Sequence, residues 1–210
     1  MGSRCSIVLE ADSEPRAARA AALAFDRISQ IEQALSDYRP SSESMTLTTK
    51  PINMWHRVSH DLFQVLTQSR DIHNRTQGMF DPTVGVYTHL WRMPTQPTRQ
   101  KLRDASGRVG LRHLELDERT HSVKLARVGM ILDFGGIGKG FAAQQALELL
   151  HQEGYAIVSI DMGGDLALGD PPTVQPEGWR VEILTGLDAV REMYLSNCAV
   201  ATSGDLERFY

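Results

Sequence analysis

Directly after the apolar run at residues 130–134, and directly before a segment with helical apolar spacing, the chain reads Gly135-Gly136-Ile137-Gly138-Lys139-Gly140. A glycine turn that leads from a strand into a helix presents backbone N–H groups at the helix start, where they can converge on an anion. Glycine lets the backbone approach a phosphate closely and take conformations that a side chain forbids, and Lys139 adds an ammonium able to reach the same anion. The same residues would also serve as a tight strand-to-helix turn with Lys139 in solvent, and the motif alone leaves both readings open. Two phosphate-binding patterns can be measured against the spacing. A Walker A loop needs a Ser or Thr after its lysine, and Gly140 stands there, so no hydroxyl is supplied for a metal. A dinucleotide fingerprint would use Gly136 and Gly138, but Phe141 occupies its third glycine position, where close packing needs no side chain. Asp161 falls near the distance of that pattern's ribose acid, so a Rossmann-type nicotinamide-dependent oxidoreductase stays as the weaker alternative.

Other residues with chemical potential are scattered. His56 and His60 are spaced to share a helix face and bind a metal, yet no third ligand is near, and solvated or helix-start histidines are the preferred reading. Cys5 and Cys198 lie at opposite ends with no CxxC or Cys/His cluster, which gives neither a zinc site nor a disulfide framework, only reduced, half-buried thiols. Asp81 before Pro82 is suited to a turn through its own backbone bonds.

The elements that must position these groups follow from periodicity. A strand is expected over Cys5–Leu9, and the stripe Ala24, Ile28, Ile31, Leu35 predicts an amphipathic helix over residues 16–35. Tyr38-Arg39-Pro40-Ser41-Ser42 breaks it. Ser59 is an N-cap candidate for a second helix carrying Leu62, Val65, Leu66, Ser69 and Ile72, with Gly78 beyond its end. Residues 78–85 are too punctuated for regular structure and read as a loop, followed by the Pro-containing connection 93–97 and a weak helix. Alternation of Leu114 and Leu116, a turn at residues 117–120, and Val123 and Leu125 make the clearest hairpin. A strand over 130–134 enters the glycine turn, a helix over 141–151 ends at Gly154, and further strands are expected at 157–160, Trp179–Leu184 and 198–201. Hairpin-paired strands mixed with strands separated by a helix point to an α+β fold.

The whole chain of 210 residues is long enough for one sizeable core and reads as a single domain, 1–210. A net charge of -4 offers no electrostatic footprint for nucleic acid or an anionic membrane surface. No apolar run approaches the roughly 20 residues that span a bilayer, so no membrane insertion is expected. Met1-Gly2-Ser3-Arg4 lacks a charged and then apolar leader, which reads as cytoplasmic; periplasmic export or membrane anchoring would require a start further upstream.

Six segments, in order, resemble one family, the ApbE FAD:protein FMN transferases. Met1-Gly2-Ser3 is similar to its Met-Gly-Thr strand entry, and Ser36-Asp37-Tyr38-Arg39-Pro40-Ser41-Ser42-Glu43 to its Ser-x-Tyr-x-Pro-x-Ser-Glu segment. Phe80-Asp81-Pro82-Thr83-Val84-Gly85 matches its Phe-Asp-Pro-Thr-Val-Gly loop residue for residue. Leu132-Asp133-Phe134-Gly135-Gly136-Ile137-Gly138-Lys139-Gly140-Phe141-Ala142 resembles Leu-Asp-Leu-Gly-Gly-Ile-Ala-Lys-Gly-Tyr-Ala. Gly163-Gly164-Asp165 and Ala201-Thr202-Ser203-Gly204-Asp205 fit two further signatures.

The resemblance implies an ApbE-like flavin transferase fold lacking its C-terminal part. It also implies a reaction: a Thr or Ser hydroxyl of a target flavoprotein attacks the FMN-side phosphorus of FAD, AMP leaves, and FMN stays attached. On this resemblance Tyr38 and Met1 map onto flavin contacts, and Met79, Phe80 and Asp81 onto the loop that holds the adenosine part of FAD. Lys139 maps onto the pyrophosphate contact and the carbonyl of Ala142 onto a metal-ligand position. Since a lone lysine and a helix start worth roughly 0.3–1 kcal/mol neutralise a pyrophosphate poorly, a hard cation is expected, Mg²⁺. The chain departs from the pattern at Met45-Thr46-Leu47-Thr48, where an Asn is usual, and at Gln144, where Asp is usual. The family's His and its Asp-Pro-x-Thr-Gly stretch, which carry its base and carboxylate ligand, find no counterpart before Phe209-Tyr210. The catalytic residues are therefore unassigned, and the expectation is little or no transferase activity from this chain alone. A non-catalytic FAD-binding remnant domain is the alternative.

Overall fold

The stripe at Ala24, Ile28, Ile31 and Leu35 is buried along one side of α1 (Glu14–Leu35), as its three-and-four spacing requires. The computed structural model describes residues 4–184 and 190–202. Met1 therefore lies outside the described residues, together with Ser203, Gly204, Asp205, Phe209 and Tyr210. The described residues divide into two compact units, one of residues 30–138, the other of those within 2–29 and 139–210. The chain's helices and small antiparallel sheets make an α+β fold, as expected.

The first unit holds α2 (Glu43–Thr49), β2 (His56–Arg57), α3 (His60–Arg75), α4 (Gly85–Trp91), α5 (Arg99–Ser106), a 3-10 turn (Leu111–His113), β3 (Leu114–Asp117) and β4 (Ser122–Leu125). Ser59 caps α3 by accepting the N–H of Leu62 at 3.3 Å, and the expected face of Leu62, Val65, Leu66 and Ser69 is buried. The hairpin pairs Leu116 with Val123, and β4 also pairs with β2, giving an antiparallel sheet in the order β2-β4-β3. His56 lies in β2 and His60 opens α3, so the two histidines do not share a helix face. Two helices went unforeseen, α2 and α4, the second of which begins at the last residue of the expected loop 78–85.

The expected strand at 130–134 is corrected. Met130, Leu132 and Phe134 are buried in alternation, but pairing is limited to one parallel bridge, Ile131 to Val84, and the bond from Asp133 N–H to Pro82 O at 2.7 Å. Burial has the strand period here without a strand partner to extend it.

The second unit contains β1 (Cys5–Leu9), α6 (Gly138–Gln152, from its second residue), β5 (Val158–Met162), β6 (Leu166–Leu168), β7 (Trp179–Leu184), β8 (Val190–Leu195) and β9 (Cys198–Val200). Its main sheet runs β1-β5-β6-β9, and β7 and β8 form a separate pair. Val158, Ile160 and Met162 are the buried face of β5. Every pairing between these strands is antiparallel, whereas a doubly wound dinucleotide fold is built on parallel strands. The Rossmann alternative is set aside on that ground, and the Oδ1 of Asp161 instead accepts the N–H of Gly164 at 2.8 Å in the β5–β6 turn. Helix α6 begins three residues earlier than expected, which puts Lys139 in its first turn, and Gly154 ends it at φ 87°. No helix among the described residues is long and apolar enough to cross a membrane.

Candidate functional site

In the first unit the segment 36–43 is folded around Ser42. Its hydroxyl donates to Ser36 O at 2.5 Å and accepts the N–H of Met45 at 3.2 Å, closing the turn and capping α2 together. This turn sends neighbouring residues in opposite directions. The Asp37 side chain is 8% exposed, while Tyr38 is 61% exposed.

Under Tyr38 lies Arg92, the residue that ends α4. Its guanidinium carbon is 4.2 Å from the centroid of the Tyr38 ring, Nη1 donates to Asp37 Oδ2, and Nη2 donates to Asp133 Oδ2 at 3.3 Å. Burial opposes the charge on Arg92, but the hydrogen bond and charge of Asp37, with Tyr38 and Asp133, outweigh it and hold the guanidinium pKa above its ordinary value. His89 Nε2 is buried 3.3 Å from Asp37 Oδ2 without the geometry of a hydrogen bond. Arg92 takes one face of the Tyr38 ring, and the exposure of that residue leaves it able to stack with a second planar group.

The motif loop after α3 is organised by Asp81. Its Oδ1 accepts the N–H and the hydroxyl of Thr83 at 2.8 and 2.6 Å, and its Oδ2 accepts the N–H of Leu111 at 3.2 Å. Thr83 Oγ1 in turn accepts the N–H of Gly110 at 2.7 Å. The ring of His73 reaches the carbonyl of Phe80 through Nδ1 at 2.8 Å. Asp81 thus performs the turn role that its place before Pro82 suggests. Beside it Met79 is 90% exposed. Phe80 lies against the glycine turn: a Cβ on Gly136 would come within 3.2 Å of Phe80 Cε2.

That turn is tightly self-bonded on its first-unit side. Asp133 Oδ1 accepts the N–H of Gly135 at 2.7 Å, and Phe134 O accepts from Ile137 and Gly138 at 3.0 and 2.6 Å. Three of the amides expected to meet an anion therefore close the turn.

Within the second unit Lys139 is paired. Its Nζ lies 3.1 Å from Asp165 Oδ2 and donates to Gly163 O at 3.4 Å. Gly163 and Gly164 take φ of 68° and 90°, the left-handed region that glycine enters without cost, and Thr202 Oγ1 donates to Gly164 O at 2.9 Å. The structure so brings together Lys139, the Gly163-Gly164-Asp165 segment and Thr202, which the sequence treats as three separate motifs. Ala142 is fully buried in α6. Among the described residues no three His, Cys, Asp or Glu side chains are grouped so as to hold a metal ion.

Tyr38, Phe80 and Asp81 were legible as motif residues. Arg92, Asp37, Asp133, His73 and Thr83, which fix them, carry no role in the sequence reading. Asp37, Thr83 and Asp133 stand inside quoted motifs and could have been picked out there, whereas nothing in the sequence around Arg92 marks it.

Comparison with known proteins gives a match to the model of the ApbE family over residues 1–210. A Treponema pallidum FAD:protein FMN transferase is 29% identical over 206 residues, covering 89% of this chain and 57% of the relative. The Escherichia coli K12 protein of the same name is 28% identical over 194 residues, covering 85% and 54%. The chain thus spans a little over half the length of these relatives. Among solved structures, the flavin transferase ApbE from Vibrio cholerae superposes with a TM-score of 0.89 at 20% identity, covering 100% of this chain and 71% of that one. The ApbE protein from Thermotoga maritima gives 0.86 at 25% identity, covering 100% and 69%.

Proposed function

The chain belongs to the ApbE family, and from that premise we propose that it serves an FAD:protein FMN transferase, which moves FMN from FAD onto a Thr or Ser of a target flavoprotein. The observation that carries the reading is the family match across residues 1–210, which takes in every motif residue described above. The hydroxyl oxygen of the acceptor attacks the FMN-side phosphorus, the bond from that phosphorus to the AMP oxygen breaks, and the hydroxyl proton passes to a base. AMP is the leaving group. Such a transfer asks mainly for positioning and charge neutralisation.

Each residue has a proposed part. Tyr38 offers its exposed ring to the flavin, and Met1, outside the described residues, is kept as a second flavin contact. Met79 and Phe80 meet the adenosine part of FAD, with Asp81 holding their loop in shape and available to the nucleotide. Lys139 meets the pyrophosphate, for which it must share its charge with Asp165.

Magnesium dependence is proposed on the charge of the substrate. The described residues do not make a magnesium site by themselves: they offer the carbonyl of Ala142, inside a helix, and no cluster of carboxylates. No step is assigned to the ion. We propose also that the chain acts outside the membrane core and without nucleic acid, in the cytoplasm or the periplasm.

The test is incubation of the chain with FAD, Mg²⁺ and an acceptor flavoprotein, read as a mass gain of one FMN on the acceptor, beside a fluorescence titration with FAD. Labelling that depends on Mg²⁺ supports the full reading and overturns the expectation of little or no activity from this chain alone. FAD binding without labelling reduces it to a flavin-nucleotide-binding domain, and absence of FAD binding overturns it.

A further inference from the structure

Arg92 is joined to groups that the sequence keeps far apart, and all of them lie in residues 30–138. One guanidinium meets two carboxylates, Asp37 and Asp133, and one ring, Tyr38. Asp133 divides its two oxygens: Oδ2 takes Arg92 at 3.3 Å and Oδ1 takes the N–H of Gly135 at 2.7 Å. A continuous path of contacts thus runs from the Tyr38 ring through Arg92 and Asp133 to the first glycine of the turn. The carboxylates are 8% and 10% exposed and Arg92 is 25% exposed, so these charges are largely out of water and hold one another more firmly than surface pairs do.

Only a guanidinium can fill this place. Its planar fork serves two acceptors in fixed directions and its flat face stacks on a ring, whereas a lysine ammonium is a point charge on a flexible stem. Arg92 is itself anchored, since its backbone N–H donates to Thr88 O at 3.0 Å at the end of α4.

We infer that Arg92 is a positioning residue for ligand binding: it sets the plane of the Tyr38 ring with respect to the glycine turn at Gly135. A planar heterocycle that stacks on Tyr38 would meet a ring already held in a fixed relation to the turn. The inference rests on the reading above that the chain takes FAD. It adds that the aromatic contact is pre-set by a residue that need not touch the ligand, which lowers the ordering cost of binding.

The experiment uses the whole chain, titrated with FAD and followed by flavin fluorescence, with thermal melting recorded for each variant. Arg92→Gln is expected to weaken FAD binding roughly tenfold, the scale of a partly buried cation–π contact, and Arg92→Lys is expected not to restore it. In a Tyr38→Leu background the same Arg92→Gln change should matter less than about twofold, because a residue that acts through another has no effect once that other is gone. A purely structural role would lower the melting temperature and affect both backgrounds alike. Equal losses in both backgrounds, or an Arg92→Gln variant that binds as tightly as the unaltered chain, overturn the inference. If Arg92→Gln does not fold, Arg92→Lys and Asp133→Asn are measured by the same criteria; the Asp133→Asn change keeps an acceptor for Gly135 while removing the charge that Arg92 meets. Failure of the unaltered chain to bind FAD overturns the functional reading and this inference with it. Binding that ignores all these changes overturns the inference alone.

Discussion

Thr83 donates its hydroxyl to Asp81 at 2.6 Å and accepts the N–H of Gly110 on the same oxygen at 2.7 Å. One fully buried hydroxyl thereby ties the motif loop to the chain before the 3-10 turn. Its neighbour Asp81 adds the N–H of Leu111.

Replacing Thr83 by Val keeps shape and removes the hydroxyl. The N–H of Gly110 then loses its acceptor inside the protein, a penalty of about 1–3 kcal/mol. Chemical denaturation is expected to show a lower midpoint with an unchanged slope. A midpoint equal to that of the unaltered chain would mean that Thr83 does not hold this loop.

Gly85 gives a sharper steric case. A Cβ there would stand 2.6 Å from Ile131 O and 2.8 Å from Ile131 C, both backbone atoms that cannot rotate away. Alanine would gain up to about 1 kcal/mol of helix propensity in α4, against roughly 1–3 kcal/mol or more for forcing apart a packed contact. The clash wins, so Gly85→Ala should destabilise and disturb the Val84–Ile131 bridge. Urea unfolding decides the sign, and a more stable variant would show that the close approach is not real.

Local signals were the legible part of this fold. Ser59, the hairpin at 114–125 and Gly154 each act within a few residues, and each has the structure its spacing predicts. Helix α2 was hidden because its sequence, Glu-Ser-Met-Thr-Leu-Thr-Thr, is poor in helix formers. Its threonines turn their hydroxyls onto backbone carbonyls, and the Ser42 cap and buried Leu47 and Ser44 carry it instead. Residues 130–134 show the opposite error, since alternation reports which side chains are buried and not whether a partner strand exists. Arg92 was beyond reach for a third reason: its carboxylate partners lie 55 and 41 residues away. Only folding makes that cluster.

The two thiols should react at different rates. Burial pushes the Cys5 thiol pKa up, and the negative charge of Asp161, which lies opposite Ser6 in the β1–β5 register, adds to it. Cys198 is exposed. Iodoacetamide near pH 8 should therefore modify Cys198 first, as peptide mass mapping would show. Asp161→Asn keeps an acceptor for Gly164 but removes the charge; the Cys5 pKa then falls, more thiolate is present at the same pH, and modification of Cys5 speeds up. Unchanged Cys5 reactivity in that variant would leave burial as the whole cause.

Lys139 and Asp165 should act on anion binding with opposite signs. At 3.1 Å the carboxylate holds the ammonium that is proposed to meet the pyrophosphate, and a partly exposed pair of this kind is worth about 0.2–1 kcal/mol. Removing the lysine charge in Lys139→Gln should weaken FAD and FMN binding and flatten its dependence on salt, because a screened attraction is lost. Riboflavin, which has no phosphate, should bind the variant and the unaltered chain equally. Asp165→Asn frees the ammonium, so it should strengthen FAD binding by up to about fivefold at low salt, the Boltzmann equivalent of that pair energy. Titrations with the three flavins at two salt concentrations separate these outcomes. Should Lys139→Gln weaken riboflavin as much as FAD, the lysine would be holding the fold of the Gly163–Gly164 turn and not the phosphate; should Asp165→Asn weaken FAD, the carboxylate would be orienting the lysine toward the ligand and not competing for it.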